Sequence, residues 1–93
     1  MSYLGPQNAT ITVGPGTTTS VTLFSETAKS SGRIVYNDSS AVLFLAYGTA
    51  ASAGSCTTAI GTAATFVFPL PVYAGQVTGA WASTAGSART TYW

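Results

Sequence analysis

The chain has 93 residues and five charged side chains, Glu26, Lys29, Arg33, Asp38 and Arg89, for a net charge of +1. It contains no His, one Cys and two carboxylates. That inventory excludes nucleophile–imidazole catalysis, Cys/His zinc sites and clustered-carboxylate calcium loops, because each needs ligands or proton acceptors the chain does not contain.

Read in chain order, the pattern is β throughout. Ala9 to Val13 alternates with period 2, and Gly14-Pro15-Gly16 breaks it as a turn. Thr18 to Glu26 resumes the alternation, with Val21 and Leu23 on one face and Thr22 and Phe24 on the other. Thr27 to Ser31 reads as a polar connector. The Thr-rich first 31 residues are expected to form an N-terminal arm or extra hairpin, with residues 32–93 as the sandwich body of a single domain. Arg33 to Asn37 forms the next strand, and Asn37-Asp38-Ser39-Ser40 is a turn signal, since short polar side chains bond nearby backbone.

Ala41 to Tyr47 is nearly continuous apolar, the pattern of a central strand covered on both faces. Residues 48–55 are small and turn-rich and read as a loop. Cys56 to Ile60 is a weak strand and Ala64 to Phe68 a firm one. Pro69 and Pro71 end regular pairing because neither has an N–H for a ladder. Gln76 to Ala82 alternates again, with Val77, Gly79 and Trp81 on one face, and Gly79 marks a bulge or a close backbone approach. Ser87 to Trp93 closes the sheet. Eight short strands at this spacing, with no helix-length periodic segment, predict an all-β antiparallel sandwich or jelly-roll-like fold.

The expected chemistry is correspondingly thin. Glu26 and Asp38 lie on separate connectors and read as solvated turn or cap residues. Lone Cys56 reads as a small buried or half-buried residue. No cofactor, no metal and no catalytic residue are expected, and the protein is not expected to be an enzyme. Three scattered basic residues make no phosphate-tracking stripe, so nucleic acid is not an expected partner. No apolar run approaches the ~20 residues of a membrane helix, and neither a basic amphipathic helix nor a signal-peptide pattern is visible. Synthesis in the cytoplasm without export is the expectation.

Charged residues are 5% of the chain against a typical ~25%. Soluble monomers normally keep more charge to prevent association. The composition therefore points to a surface covered by copies of itself or by a partner. A competing reading has the surface solvated by the 27 Ser and Thr hydroxyls. Aromatic residues at strand ends and in links are the remaining contact material, because Tyr and Trp bury rigid area while keeping a polar tip. On this basis Tyr73, Tyr92 and Trp93 are expected interface residues, and Tyr3, Leu4, Val21 and Leu23 are expected from the N-terminal arm as the element that reaches a neighbour.

From Arg33 to Thr91 the chain resembles small tailed-bacteriophage virion structural proteins. The resemblance rests on Arg33-Ile-Val-Tyr-Asn37 with its turn, Ala41-Val-Leu-Phe-Leu-Ala-Tyr-Gly48, Ala51-Ser52, Pro71-Val-Tyr-Ala-Gly75, Gln76-Val-Thr-Gly-Ala-Trp81 and Gly86-Ser-Ala-Arg-Thr90. Tyr92-Trp93 stands where those proteins carry an acidic residue. What the resemblance implies is a β-sandwich subunit on a virion surface: a capsid cement or decoration protein, a homo-oligomer with a trimer expected, whose partner is the major capsid protein. A carbohydrate- or receptor-binding module and a tail or neck structural subunit are the alternatives.

Overall fold

The computed structural model describes residues 11–13, 18–26, 32–84 and 86–93. Eight strands fill it: β1 (Ile11–Val13), β2 (Val21–Phe24), β3 (Arg33–Asp38), β4 (Leu43–Tyr47), β5 (Thr58–Ile60), β6 (Thr65–Val67), β7 (Val77–Trp81) and β8 (Ser87–Tyr92). Each lies inside a segment expected from alternation and turn chemistry, apart from the extension of β3 by Asp38. No helix occurs among the described residues.

The strands form two four-stranded antiparallel sheets, ordered β1-β8-β3-β6 and β2-β7-β4-β5. Only β4 and β5 are consecutive neighbours within a sheet; every other connection crosses from one sheet to the other. This order is that of an eight-stranded jelly roll, two Greek keys folded face to face.

Alternation decides the core. Val35, Leu43, Leu45, Val77, Trp81 and Ala88 point between the sheets and are buried, joined by Leu23, Phe24, Ile60 and Phe68. β7 is buried at all five positions. Its inner face carries Val77, Gly79 and Trp81. Its outer face is covered by the 48–55 loop, where Ala51 packs on Ala46 and Ala80 and the Thr78 hydroxyl donates to the Thr49 carbonyl. The apolar run of β4 is thus covered on both faces at Ala46. At Gly79 a side chain would force its neighbours to shift, since a Cβ there would lie 2.8 Å from Leu23 Cδ1 and 2.9 Å from Leu43 Cδ1. The crowding at Gly79 comes from these side-chain ends and not from a neighbouring backbone, and the bulge lies on its partner strand.

Two expectations need correction. Leu23 and Phe24 are consecutive yet both buried. The cause is a register shift between Thr22 and Phe24 where β2 pairs with β7. A bulge inserts one residue and turns the next side chain to the same face. The second correction concerns the arm: β1 pairs with β8 and β2 with β7, so residues 11–13 and 21–24 are integral sheet strands. Residues 1–10, 14–17 and 27–31 of the expected arm lie outside the described residues.

Candidate functional site

β3 reads Arg-Ile-Val-Tyr-Asn-Asp, and its alternation aims Arg33, Val35 and Asn37 between the sheets. A charged and an amide side chain on a core face must find partners or destabilise the fold. Each does so at its own end of the sandwich.

At one end, Arg33 is 1% exposed. Its Nη1 donates to the carbonyls of Tyr73 (2.9 Å) and Gly75 (2.7 Å), and its Nη2 to those of Ser25 (3.0 Å) and Ala74 (3.1 Å). The guanidinium lies 4.8 Å from the centre of the Phe24 ring. No carboxylate neutralises it: the one ion pair among the described residues is Asp38–Arg89, at the surface. Arg33 Nε is buried without a hydrogen-bond partner. Burial pulls the guanidinium below its ordinary range, against the opposing pull of Tyr73, Tyr47 and Tyr92. A planar fork with five donors suits this task, since one side chain fixes the β2 exit and the 73–75 link together.

Around Arg33 the aromatic rings interlock. Tyr47 lies between Phe68 (centroids 5.4 Å apart, 17° between planes) and Tyr73 (4.5 Å, 2°). Phe24 meets Phe68 and Tyr92 edge-on. Burial raises the Tyr47 phenol above its usual range, partly offset by nearby Arg33. Trp93 exchanges main-chain hydrogen bonds with Gly32, and its indole lies where a Gly32 side chain would sit. The last residue is therefore tied down by closure of this chain's own sandwich.

At the other end Asn37 is fully buried. Its Nδ2 lies within hydrogen-bond distance of the carbonyls of Ala41, Ile60 and Gly61. Its Oδ1 accepts from the Trp81 indole N–H at 3.1 Å and the Ser39 hydroxyl at 2.8 Å. Both hubs were missed as such by reading the sequence, although the spacing Arg33-x-Val35-x-Asn37 contains the signal. Polar residues in phase with a core Val on a β strand must be buried with it.

The expected interface residues scatter. Leu23 is in the core and cannot meet a partner. Val21, Tyr73 and Tyr92 are half-buried and pack against the core, and Trp93 is half-buried over Gly32. Tyr3 and Leu4 lie outside the described residues. Cys56 is exposed, not buried or half-buried as expected, because it sits between the small-residue loop and β5 with no apolar cover. No group of three potential metal ligands occurs among the described residues.

The surface feature that alternation alone did not single out is the free edge of β6. Val67 is 63% and Leu70 82% exposed, the two exposed large apolar residues among the described residues. Exposed Pro69 and Pro71 flank Leu70, and the Leu70–Pro71 peptide is cis. On the outer face Val67 stands opposite half-buried Ile34, and Thr65 opposite half-buried Tyr36. This edge carries no charge. The arrangement offers contact area and main-chain hydrogen bonds. It offers no acid, base or nucleophile in a polar setting.

No protein-family model, no curated protein and no solved structure matches this chain.

Proposed function

We propose that this protein is a structural subunit of a tailed-phage virion, a cement protein that binds the outside of the capsid shell and clamps neighbouring capsid subunits. It acts as a small homo-oligomer, with a trimer the expected form. The observation that carries the reading is a jelly roll whose exterior is nearly free of charge. Arg33 is buried and Asp38 is paired with Arg89, so Glu26 is the one unpaired charged side chain at the surface of the described residues. Jelly rolls serve as capsid, lectin and cupin domains. The fold does not choose among them, so the choice rests on the side chains. The cupin metal chemistry needs ligands this chain lacks, whereas a contact function needs only surface.

Such a protein stabilises by mass action: it binds the assembled shell and not its separated parts, so the shell becomes harder to take apart. Exposed strand edges suit this role through main-chain pairing with neighbours. The test is to mix purified protein with undecorated shells. Co-sedimentation and a raised shell disruption temperature are expected. Shells that neither bind the protein nor gain heat resistance rule the function out.

A second reading, a carbohydrate-binding module, draws on the Tyr47–Tyr73 stack, since flat aromatic faces accept sugar rings. Against it, the stack is ringed by apolar groups with few side chains to read hydroxyls. Binding on a glycan array with no binding to shells favours this second reading. A tail or neck position is distinguished by where the protein lies on the particle.

A further inference from the structure

We infer that the β6 edge is a two-fold contact between copies of this chain, in which β6 pairs antiparallel with β6 of a second copy to join two four-stranded sheets into one of eight strands. This two-fold contact is distinct from the three-fold association in the reading above, since an isologous pair closes on two copies, and it does not depend on a shell.

Hydrogen-bond phase decides which main-chain groups of β6 face away from β3. Asn37 N–H donates to the Ala64 carbonyl and Phe68 N–H to the Arg33 carbonyl, and Val35 stands opposite Phe66. In an antiparallel ladder bonded pairs alternate. The main-chain groups of Ala64, Phe66 and Phe68 therefore face β3, and those of Thr65 and Val67 face outward. β6 is the last strand of its sheet, so no described strand meets them.

Natural edges are usually blunted by a charge, a bulge, a proline, short length or a covering segment; β6 is three residues long and is followed by Pro69 and Pro71, but within its strand it carries neither charge nor bulge. The β2 edge has its bulge at Thr22/Phe24, whereas no register shift interrupts β6 and no charge stands on it. A strongly charged partner finds nothing here to pair with. A second copy meets an identical neutral edge.

Register then selects one pairing between the two copies. With the two-fold axis at Phe66, Thr65 of each copy faces Val67 of the other, and each of these two pairs exchanges both main-chain bonds. Every outward N–H and C=O is used. Moving the axis to Val67 sets Thr65 opposite Pro69, which has no N–H. Moving it to Thr65 brings in Ala63, whose N–H already donates to the Asn37 carbonyl and whose φ of 55° lies outside the strand region. Half-steps set outward groups against inward ones. One self-pairing register survives, with the half-buried Phe66 rings meeting on the inner face and Val67 beside Thr65 of the other copy on the outer face.

Three residues per strand with Leu70 nearby cover far less than the ~800 Å² per partner of a standard interface. The contact is accordingly weak, and forms when copies are concentrated or already held side by side on a surface.

Two measurements test it. In sedimentation velocity across a wide concentration range, the wild-type chain is expected to show a concentration-dependent step of association. Val67→Lys is expected to lose that step while melting at the same temperature, since Val67 is on the surface. The second measurement reads register. In a Cys56→Ser background, Thr65→Cys protein is mixed with Val67→Cys protein under a glutathione redox buffer. Facing positions in a bonded pair are about 5.5 Å apart between Cα atoms, within disulfide reach. The mixture is expected to cross-link at least tenfold faster than either variant alone. Equal rates in the mixture and the separate variants, no cross-link in any of them, or unchanged association of Val67→Lys would overturn the inference. Shell binding without the β6 step sinks this contact and leaves the cement function standing. The β6 step without shell binding does the reverse.

Discussion

Replacing Arg33 by Ala is expected to be among the most destabilising single substitutions in the molecule. The side chain closes one end of the sandwich through four carbonyls contributed by Ser25, Tyr73, Ala74 and Gly75. A hydrogen bond to a charged group contributes about 1.5–3 kcal/mol net. The four do not add, because the 73–75 link is half-buried and its carbonyls regain water when the guanidinium is gone. The loss is therefore set at about 3–4 kcal/mol, in the upper tail for a point substitution. In a domain of this size each kcal/mol moves the melting temperature by about 4–8 °C, so a fall of roughly 12–32 °C is expected. Arg33→Lys, with one ammonium in place of a planar fork, is expected to recover part of that loss. Thermal melts followed by near-ultraviolet circular dichroism read both the stability and the packing of Tyr47, Tyr73 and Tyr92. An Arg33→Ala protein melting within about 4 °C of the wild type, a change below ~1 kcal/mol, would refute the closure argument.

Asn37→Asp replaces the Nδ2 donor with an acceptor facing the carbonyls of Ala41, Ile60 and Gly61. A loss of about 2–4 kcal/mol in urea unfolding is expected, larger at pH 7 than at pH 4, where the new carboxyl is protonated and can donate. Gly79→Ala drives a methyl into Leu23 and Leu43, whose flexible ends can give way, so a cost of about 1–3 kcal/mol is expected from the same assay. Tyr47 supplies a pH dependence. Its phenol is raised in the folded state above 10.0, so the unfolded chain gives up this proton first. Its contribution is full below pH 10 and fades as pH rises through the folded value. Melting temperatures measured from pH 8 to 11.5 should fall less steeply above pH 10 in Tyr47→Phe than in the wild type.

The eight strands were legible because period-2 alternation, β-branched residues and Gly/Pro/Asn turns agree along most of the chain. Thr58–Ile60, the weakest of these signals, forms the short edge strand beside β4. What the pattern could not carry was pairing. Val21-Thr22-Leu23-Phe24 alternates cleanly in sequence, and only the register against Val77–Gly79 inserts the bulge that buries Leu23 and Phe24 together. The same limit explains the arm: Thr-rich β1 and β2 look detachable until their partners, β8 and β7 some 60–80 residues later, are known. At the candidate site, composition indicated a contact surface without locating it. The aromatic residues at strand ends, chosen for their chemistry, turn out to interlock around Arg33. The open edge at Val67 is a property of strand order, which no local pattern encodes.

The central claim is that this sparsely charged jelly roll works by being covered on an assembled shell. The most direct measurement is the number of copies of this chain relative to the major capsid protein in intact particles, taken by quantitative mass spectrometry and paired with electron cryomicroscopy. The account predicts a fixed stoichiometric ratio to the capsid subunit, with sandwich-shaped density on the outer shell. A few copies confined to the tail or neck, or none on the particle, would contradict it.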